Sequence, residues 1–151
     1  MRLTTRTNLA MRILMFCGVN QDKVATKGEI ARVCHARETH IAQVVNVLAQ
    51  KGYLATTRGR GGGIKLAQQP VDINVGEVIR TFEPSAEFAE CFKKEGNTCP
   101  LTPACRLKSA LVVALGAFYG ALDGLTLEDF IVGNDTLATL LEGTAPQKAV
   151  A

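Results

Sequence analysis

The chain has 151 residues, 47% of them hydrophobic, with a formal net charge of +3 and five cysteines. That length suits one domain, or a small domain with an added oligomerisation element, and the apolar content is enough for a core. No apolar run is long enough to cross a membrane, and an odd cysteine count argues against a disulfide framework. The expectation is a cytoplasmic protein whose cysteines serve metal binding or redox chemistry.

The charge is unevenly spread. Residues 1–70 carry 11 Lys and Arg against 3 acids, whereas residues 71–151 carry 6 against 11. A positive front half suits a polyanion, although a solvated basic surface has the same composition. The opening MRLTTRTNLAMRILMFCGVN starts basic like a secretory signal, but Arg12 interrupts its apolar run and no small-residue cleavage site follows. It reads as a first helix from Thr4 to Val19, with Leu9, Ile13 and Phe16 on one face.

Thr26-Lys27-Gly28-Glu29 fits a capping box, and the short helix it opens runs to about His35. A second helix spans about Glu38 to Gln50, has Ile41, Val44, Val45 and Leu48 at helical spacing, and ends at Gly52, a residue suited to a left-handed cap. The stretch YLATTRGRGGGIKLA then gives two β-leaning segments around a glycine-rich tip. Two helices, a short turn and a hairpin, in that order, are the parts of a winged helix-turn-helix. Asn74 starts a further helix that runs to about Glu83.

After a cysteine-bearing loop, Thr102-Pro103 supplies a cap and a first-turn proline for a long helix to about Asp123. Leu107, Leu111, Leu115, Phe118 and Leu122 form one apolar stripe on it, and Ala110, Ala114, Ala117 and Ala121 form a second. A helix apolar over so much of its circumference needs cover on several sides, which a symmetric partner helix provides; burial within a monomer is the alternative. Thr126 to Asp129 caps a last short helix, and the tail from Thr144 is expected to be disordered. The predicted fold is mostly α with a small β-hairpin. Its parts are a winged helix-turn-helix domain over 1–83, a loop over 84–102, a dimerisation helix and short C-terminal helix over 103–143, and the tail over 144–151.

The run from Arg58 to Lys65, RGRGGGIK, fits neither nucleotide-binding glycine motif: Ile64 sits where a third dinucleotide-type glycine is wanted, and no lysine followed by Ser or Thr closes a P-loop. As a wing tip it makes sense, because glycines let the backbone approach DNA while Arg58, Arg60 and Lys65 neutralise phosphates or enter a narrow minor groove. On the preceding helix Thr39, His40 and Gln43 can reach base edges, Gln43 having the donor and acceptor pair that suits adenine.

Cys91, Cys99 and Cys105 follow the spacing C-x7-C-x5-C in polar surroundings, whereas Cys17 and Cys34 lie in apolar helical contexts and read as core. Structural zinc sites bring ligands in closer pairs; wider gaps let thiolates wrap an iron–sulphur cluster, 4Fe-4S before 2Fe-2S, with zinc or redox thiols as alternatives. If Thr102 caps the long helix, Cys105 falls at its third position, where the helix dipole and free amides favour a thiolate. Three thiols leave a four-iron cluster one ligand short. A partner subunit, Glu87, Glu90 or a small exogenous molecule can supply the fourth. A thiol enzyme using Cys105 lacks a positioned histidine base.

The opening MRLTTRTNLAMR, the wing RGRGGGIKL and three cysteines between wing and long helix together resemble the family of dimeric winged-helix bacterial repressors that hold an iron–sulphur cluster. Within it, GGIKLAQQPVDINVGEVIRTFEP and CPLTPACRLKSAL look most like the nitric oxide sensor NsrR, while the gap between Cys91 and Cys99 looks like that of the iron regulator RirA. The histidine that an IscR-like cluster needs just after the third cysteine is missing. The resemblance implies that Cys91, Cys99 and Cys105 ligate the cluster, that the chain is a homodimer on double-stranded operator DNA, and that nitric oxide or iron is the signal. Several family members ligate the partner subunit's cluster with an aspartate where this chain has Asn8, so that ligand is not carried over.

Overall fold

The computed structural model describes residues 3–83, 89–93 and 95–142. Glu87 and the expected disordered tail, 144–151, lie outside them. Among the described residues there are seven helices and one hairpin.

Helix α1, Thr5–Val19, starts at Thr4, whose hydroxyl accepts from the Thr7 amide at 3.2 Å. It buries Leu9, Ile13, Leu14, Phe16 and Cys17, and packs against α3 (Glu38–Gln50), α4 (Val75–Phe82) and the hairpin. Helix α2, Lys27–Val33, opens on both bonds of the capping box: the Glu29 amide donates to the Thr26 hydroxyl at 3.2 Å and the Thr26 amide donates to the Glu29 carboxylate at 2.7 Å. It stops short of the expected His35, which turns to a φ of +48°. Helix α3 buries Ile41, Val44, Val45 and Leu48, and the chain leaves it through Gly52 at φ +79°, a conformation in which a side chain is strained.

Strands β1, Leu54–Thr57, and β2, Gly63–Leu66, pair antiparallel with Leu54 opposite Leu66. Ile64 is buried and exchanges backbone hydrogen bonds of 2.8 and 2.9 Å with Ala25, so the hairpin is pinned to the residue just before the α2 cap. At Gly62 a Cβ would stand 2.3 Å from the Thr57 carbonyl oxygen, so only glycine fits that turn. Helix α4 is capped by Asn74, which accepts from the Glu77 amide at 3.0 Å. Just past its end, the Glu83 carboxylate takes hydrogen bonds from the Thr4 amide, at 2.6 Å, and from the buried Thr7 hydroxyl, clasping the start of α1. Burial pushes that carboxyl up, but these bonds outweigh it and hold it below the usual range.

The long helix α5 is Arg106–Asp123, and the expected Thr102 cap does not form. Thr102–Ala104 make a separate 3-10 turn instead, with the Thr102 hydroxyl donating to the Cys99 carbonyl at 2.9 Å. Cys105 is therefore the residue that flanks α5, not its third position. On α5, Leu111, Leu115, Phe118 and Leu122 are half-buried, while Leu107 and the four alanines are exposed, and none of its residues is fully buried. The single terminal helix expected from the sequence is two, α6 at Glu128–Ile131 and α7 at Asp135–Leu141, because Gly133 turns to φ +70° between them. Both return to α1, and Leu127 is fully buried in the same core.

A candidate DNA-binding surface and a cysteine segment

Helices α2 and α3 and the hairpin form a winged helix-turn-helix, which leaves an open groove of about 850 Å³ between α3 and the wing. Gln43 and Arg58 line it together, and so do Lys27, Asn46, Thr56 and Thr57. Thr39 and His40 are exposed at the start of α3, and Arg60 is exposed at the wing tip; none of the three lines the groove. The tip keeps its shape through Gly59 and Gly61, at φ +94° and +81°. Lys65 is placed elsewhere. Because side chains alternate along a strand, burial of Ile64 turns Lys65 to the other face, where it borders a depression with Gln21, Gln68 and Asp72.

Asn46 and the Thr56-Thr57 pair are groove residues that the sequence reading missed. Asn46 carried a usable signal, since it follows Gln43 at i+3 on the same helical face. The threonines carried none until the hairpin register was known.

The cysteine segment folds into two small turns tied together. Cys91 sits in the 3-10 turn Glu90–Phe92, and the neighbouring Glu90 carboxylate accepts from both the amide and the hydroxyl of Thr98, beside Cys99. These two bonds, the backbone one first, hold the Glu90 carboxyl below its usual range. One oxygen of this candidate ligand is thereby engaged within the loop. Asn8 is exposed on α1. Cys91, Cys99 and Cys105 are all free and half-buried, and among the described residues no three His, Cys, Asp or Glu side chains converge as metal ligands. Three accessible thiols are soft donors of the kind an iron–sulphur cluster takes. The donor chemistry fits such a group, and its binding would have to gather the thiols.

The segment is coupled to the core through α5. Arg80 on α4 makes a two-pronged ion pair with Asp123, one bond of it at 2.7 Å, and its guanidinium lies 4.4 Å from the centre of the Tyr119 ring. Asn74 donates to the Asp123 carbonyl at 2.7 Å, and backbone bonds join Val75 to Leu125 and Leu127 to Ile73. Gly76 makes room for this clasp, since a Cβ there would meet the Asp123 carboxylate at 2.0 Å.

Cys17 and Cys34 behave as core. Burial pushes the Cys17 thiol up to about 12 and the Cys34 thiol up to about 11, so both stay protonated across the neutral range. In a native alkylation time course at neutral pH, Cys91, Cys99 and Cys105 are expected to be modified first. Cys17 and Cys34 should react only after denaturant is added, and mass spectrometry of peptides reads the order.

Among the described residues no helix is long and apolar enough to cross a membrane. The profile of the Rrf2 family, described as an iron-dependent transcriptional regulator, matches residues 3–133. The chain is 41% identical over 143 residues to the HTH-type transcriptional regulator NsrR of Geobacillus kaustophilus, covering 94% of this chain and 97% of that one. It is 43% identical over 135 residues to the HTH-type transcriptional repressor NsrR of Streptomyces coelicolor, covering 87% and 88% of the two chains. Its fold matches that of CymR, the global cysteine regulator of B. subtilis, with a TM-score of 0.69 at 23% identity, over 87% of this chain and 96% of that one. With a profile match over most of its length and relatives of this similarity, the chain belongs to the Rrf2 family of winged-helix, DNA-binding transcriptional regulators.

Proposed function

We propose that this regulator is a cytoplasmic, homodimeric repressor that holds an iron–sulphur cluster, of the 4Fe-4S kind, through Cys91, Cys99 and Cys105, and releases operator DNA on cluster nitrosylation. The observation that carries the reading is one of continuity. The cysteine segment leads directly into α5, and α5 is clasped through Arg80 and Asp123 to the helix that packs on the DNA-binding core. The resemblance to NsrR relatives supplies the signal.

When bound, the cluster would supply a centre reactive toward nitric oxide. The rest of the work falls to this chain's residues. Thr98, through Glu90, holds the turns of Cys91 and Cys99 together, and Cys105 stands directly before α5. The exposed apolar side chains of α5, Leu107, Val112 and Val113 among them at between 52% and 72% exposed and spread around the helix, offer a partner protomer an apolar surface. Two protomers joined there present two recognition helices at a set half-site spacing, which changes when the loop relaxes. Thr39, His40 and Gln43 then reach base edges, and Arg58 and Arg60 contact phosphates or the minor groove; Lys65 contributes charge from the opposite face of the wing. Replacing Arg58 or Arg60 with Ala should weaken binding to every sequence and flatten the salt dependence by about one unit of slope per arginine, in anisotropy titrations at several salt concentrations. Gln43→Ala should lose discrimination at one base position only.

A second reading rests on the seven residues between Cys91 and Cys99, which suit an iron-responsive, RirA-like repressor. Native mass spectra of protein purified without oxygen, before and after stepwise nitric oxide, separate the two. Nitrosyl-iron adducts on a dimer at low doses support the nitric oxide sensor. A cluster indifferent to low doses that sheds iron to a mild chelator supports the iron regulator, and zinc or bare thiols remove the sensing mechanism.

A further inference from the structure

The front half of the chain carries 11 cations against 3 acids, yet one of those acids lines the groove between α3 and the wing. Glu38 is the first residue of α3 and is exposed; its carboxylate lies over the start of α2, 3.3 Å from where a Cβ on Gly28 would stand. Among the described residues it makes no ion pair and no hydrogen bond. Glu29, on α2, is the opposite case, its carboxylate being absorbed by the Thr26 amide and hydroxyl. A carboxylate in the first turn of α3 does complement the helix dipole, and Arg37 gives that helix no side-chain cap. That role is met wherever the side chain points. Here it points into a groove shared with Lys27, Gln43, Asn46 and Arg58, so an unpaired anion stands among the groups that suit DNA.

We propose that Glu38 determines sequence specificity, accepting a hydrogen bond from the amino group of a cytosine in the major groove and repelling duplexes that offer no such donor. The inference rests on the reading of this groove as the DNA-binding surface. A carboxylate is an acceptor only, so the donor at cytosine N4 satisfies it and a carbonyl or phosphate oxygen does not. Placed at the start of the recognition helix, it acts more against wrong sequences than in favour of the right one.

The test compares wild type, Glu38→Gln and Glu38→Asp, purified without oxygen. Each selects from a randomised duplex library, and each is titrated by anisotropy against a random-sequence duplex at fixed salt. In wild-type selections one position is held to cytosine, and Glu38→Gln relaxes that preference about tenfold. Glu38→Gln also binds the random duplex about fivefold tighter, while Glu38→Asp, which keeps the charge, stays within about twofold of wild type. An unchanged base preference, or an unchanged random-duplex affinity, in Glu38→Gln overturns the proposal and leaves the carboxylate a helix-start role. A wild type that enriches no sequence overturns the DNA-binding reading of the groove, and the inference with it.

Discussion

Cys91→Ala, Cys99→Ala and Cys105→Ala should each abolish tight operator binding while leaving the protein folded. Specific sites are bound about 10³-fold or more tighter than random DNA by regulators of this kind, and the expected loss is of that size. The reason for separating binding from folding is positional. All three thiols are half-buried and lie outside the core, which is built on α1, α3, α4, the hairpin and Leu127. Removing one of them opens no cavity, so circular dichroism and the thermal midpoint of the metal-free protein should stay close to wild type. Operator affinity is read by anisotropy without oxygen. Three variants that all still bind the operator tightly would mean that the segment plays no part in sensing.

Leu127→Ala should be among the most damaging single changes to the fold itself, costing about 3 kcal/mol in urea denaturation. Leu127 is fully buried between the helical core and α6, and its amide donates to the Ile73 carbonyl at 2.9 Å. The truncation leaves a cavity where the C-terminal helices rejoin the N-terminal half. The same change at Leu107, exposed near the start of α5, should cost the isolated chain little. A loss below about 1 kcal/mol at Leu127 would show that the site collapses around the smaller side chain.

What the sequence disclosed was local. Thr26 and Glu29 announce their helix four residues from end to end, Asn74 caps the next, and Gly52 sits where only a left-handed residue is comfortable; each signal is complete within one turn. The basic wing was legible in the same way, from spacing alone, and so were Leu111, Leu115, Phe118 and Leu122 as the half-buried part of the α5 stripe, whereas Leu107 and the alanines of the second stripe are exposed. Cys105 was misplaced because Thr102-Pro103 is an equally good opening for a 3-10 turn, and the Thr102 hydroxyl bonds backwards to Cys99 instead of forwards. The terminal helix was drawn as one piece because a lone glycine, Gly133, can be carried inside a helix as easily as it can break one. Leu127 could not have been placed in the core from its neighbours, since its partner Ile73 lies far away along the chain. Glu38 was passed over for a related reason. In sequence it is an ordinary first-turn acid, and only the packing of the wing shows that it shares a groove with arginine.

The clasp between Arg80 and Asp123 has a geometric consequence. At about 1.5 Å per residue, the 18 residues of α5 put Cys105 about 27 Å from Asp123. A rod held near one end turns small angles into large sweeps: a tilt of about 10° at the clasp carries the cysteine end about 5 Å, the length of one helical turn. The gearing also runs in reverse. If the thiols hold a cluster as proposed, a rearrangement of about 5 Å around them would arrive at α4 as about 10° of rotation, next to Gly76, where the lack of a side chain lets Asp123 approach closely.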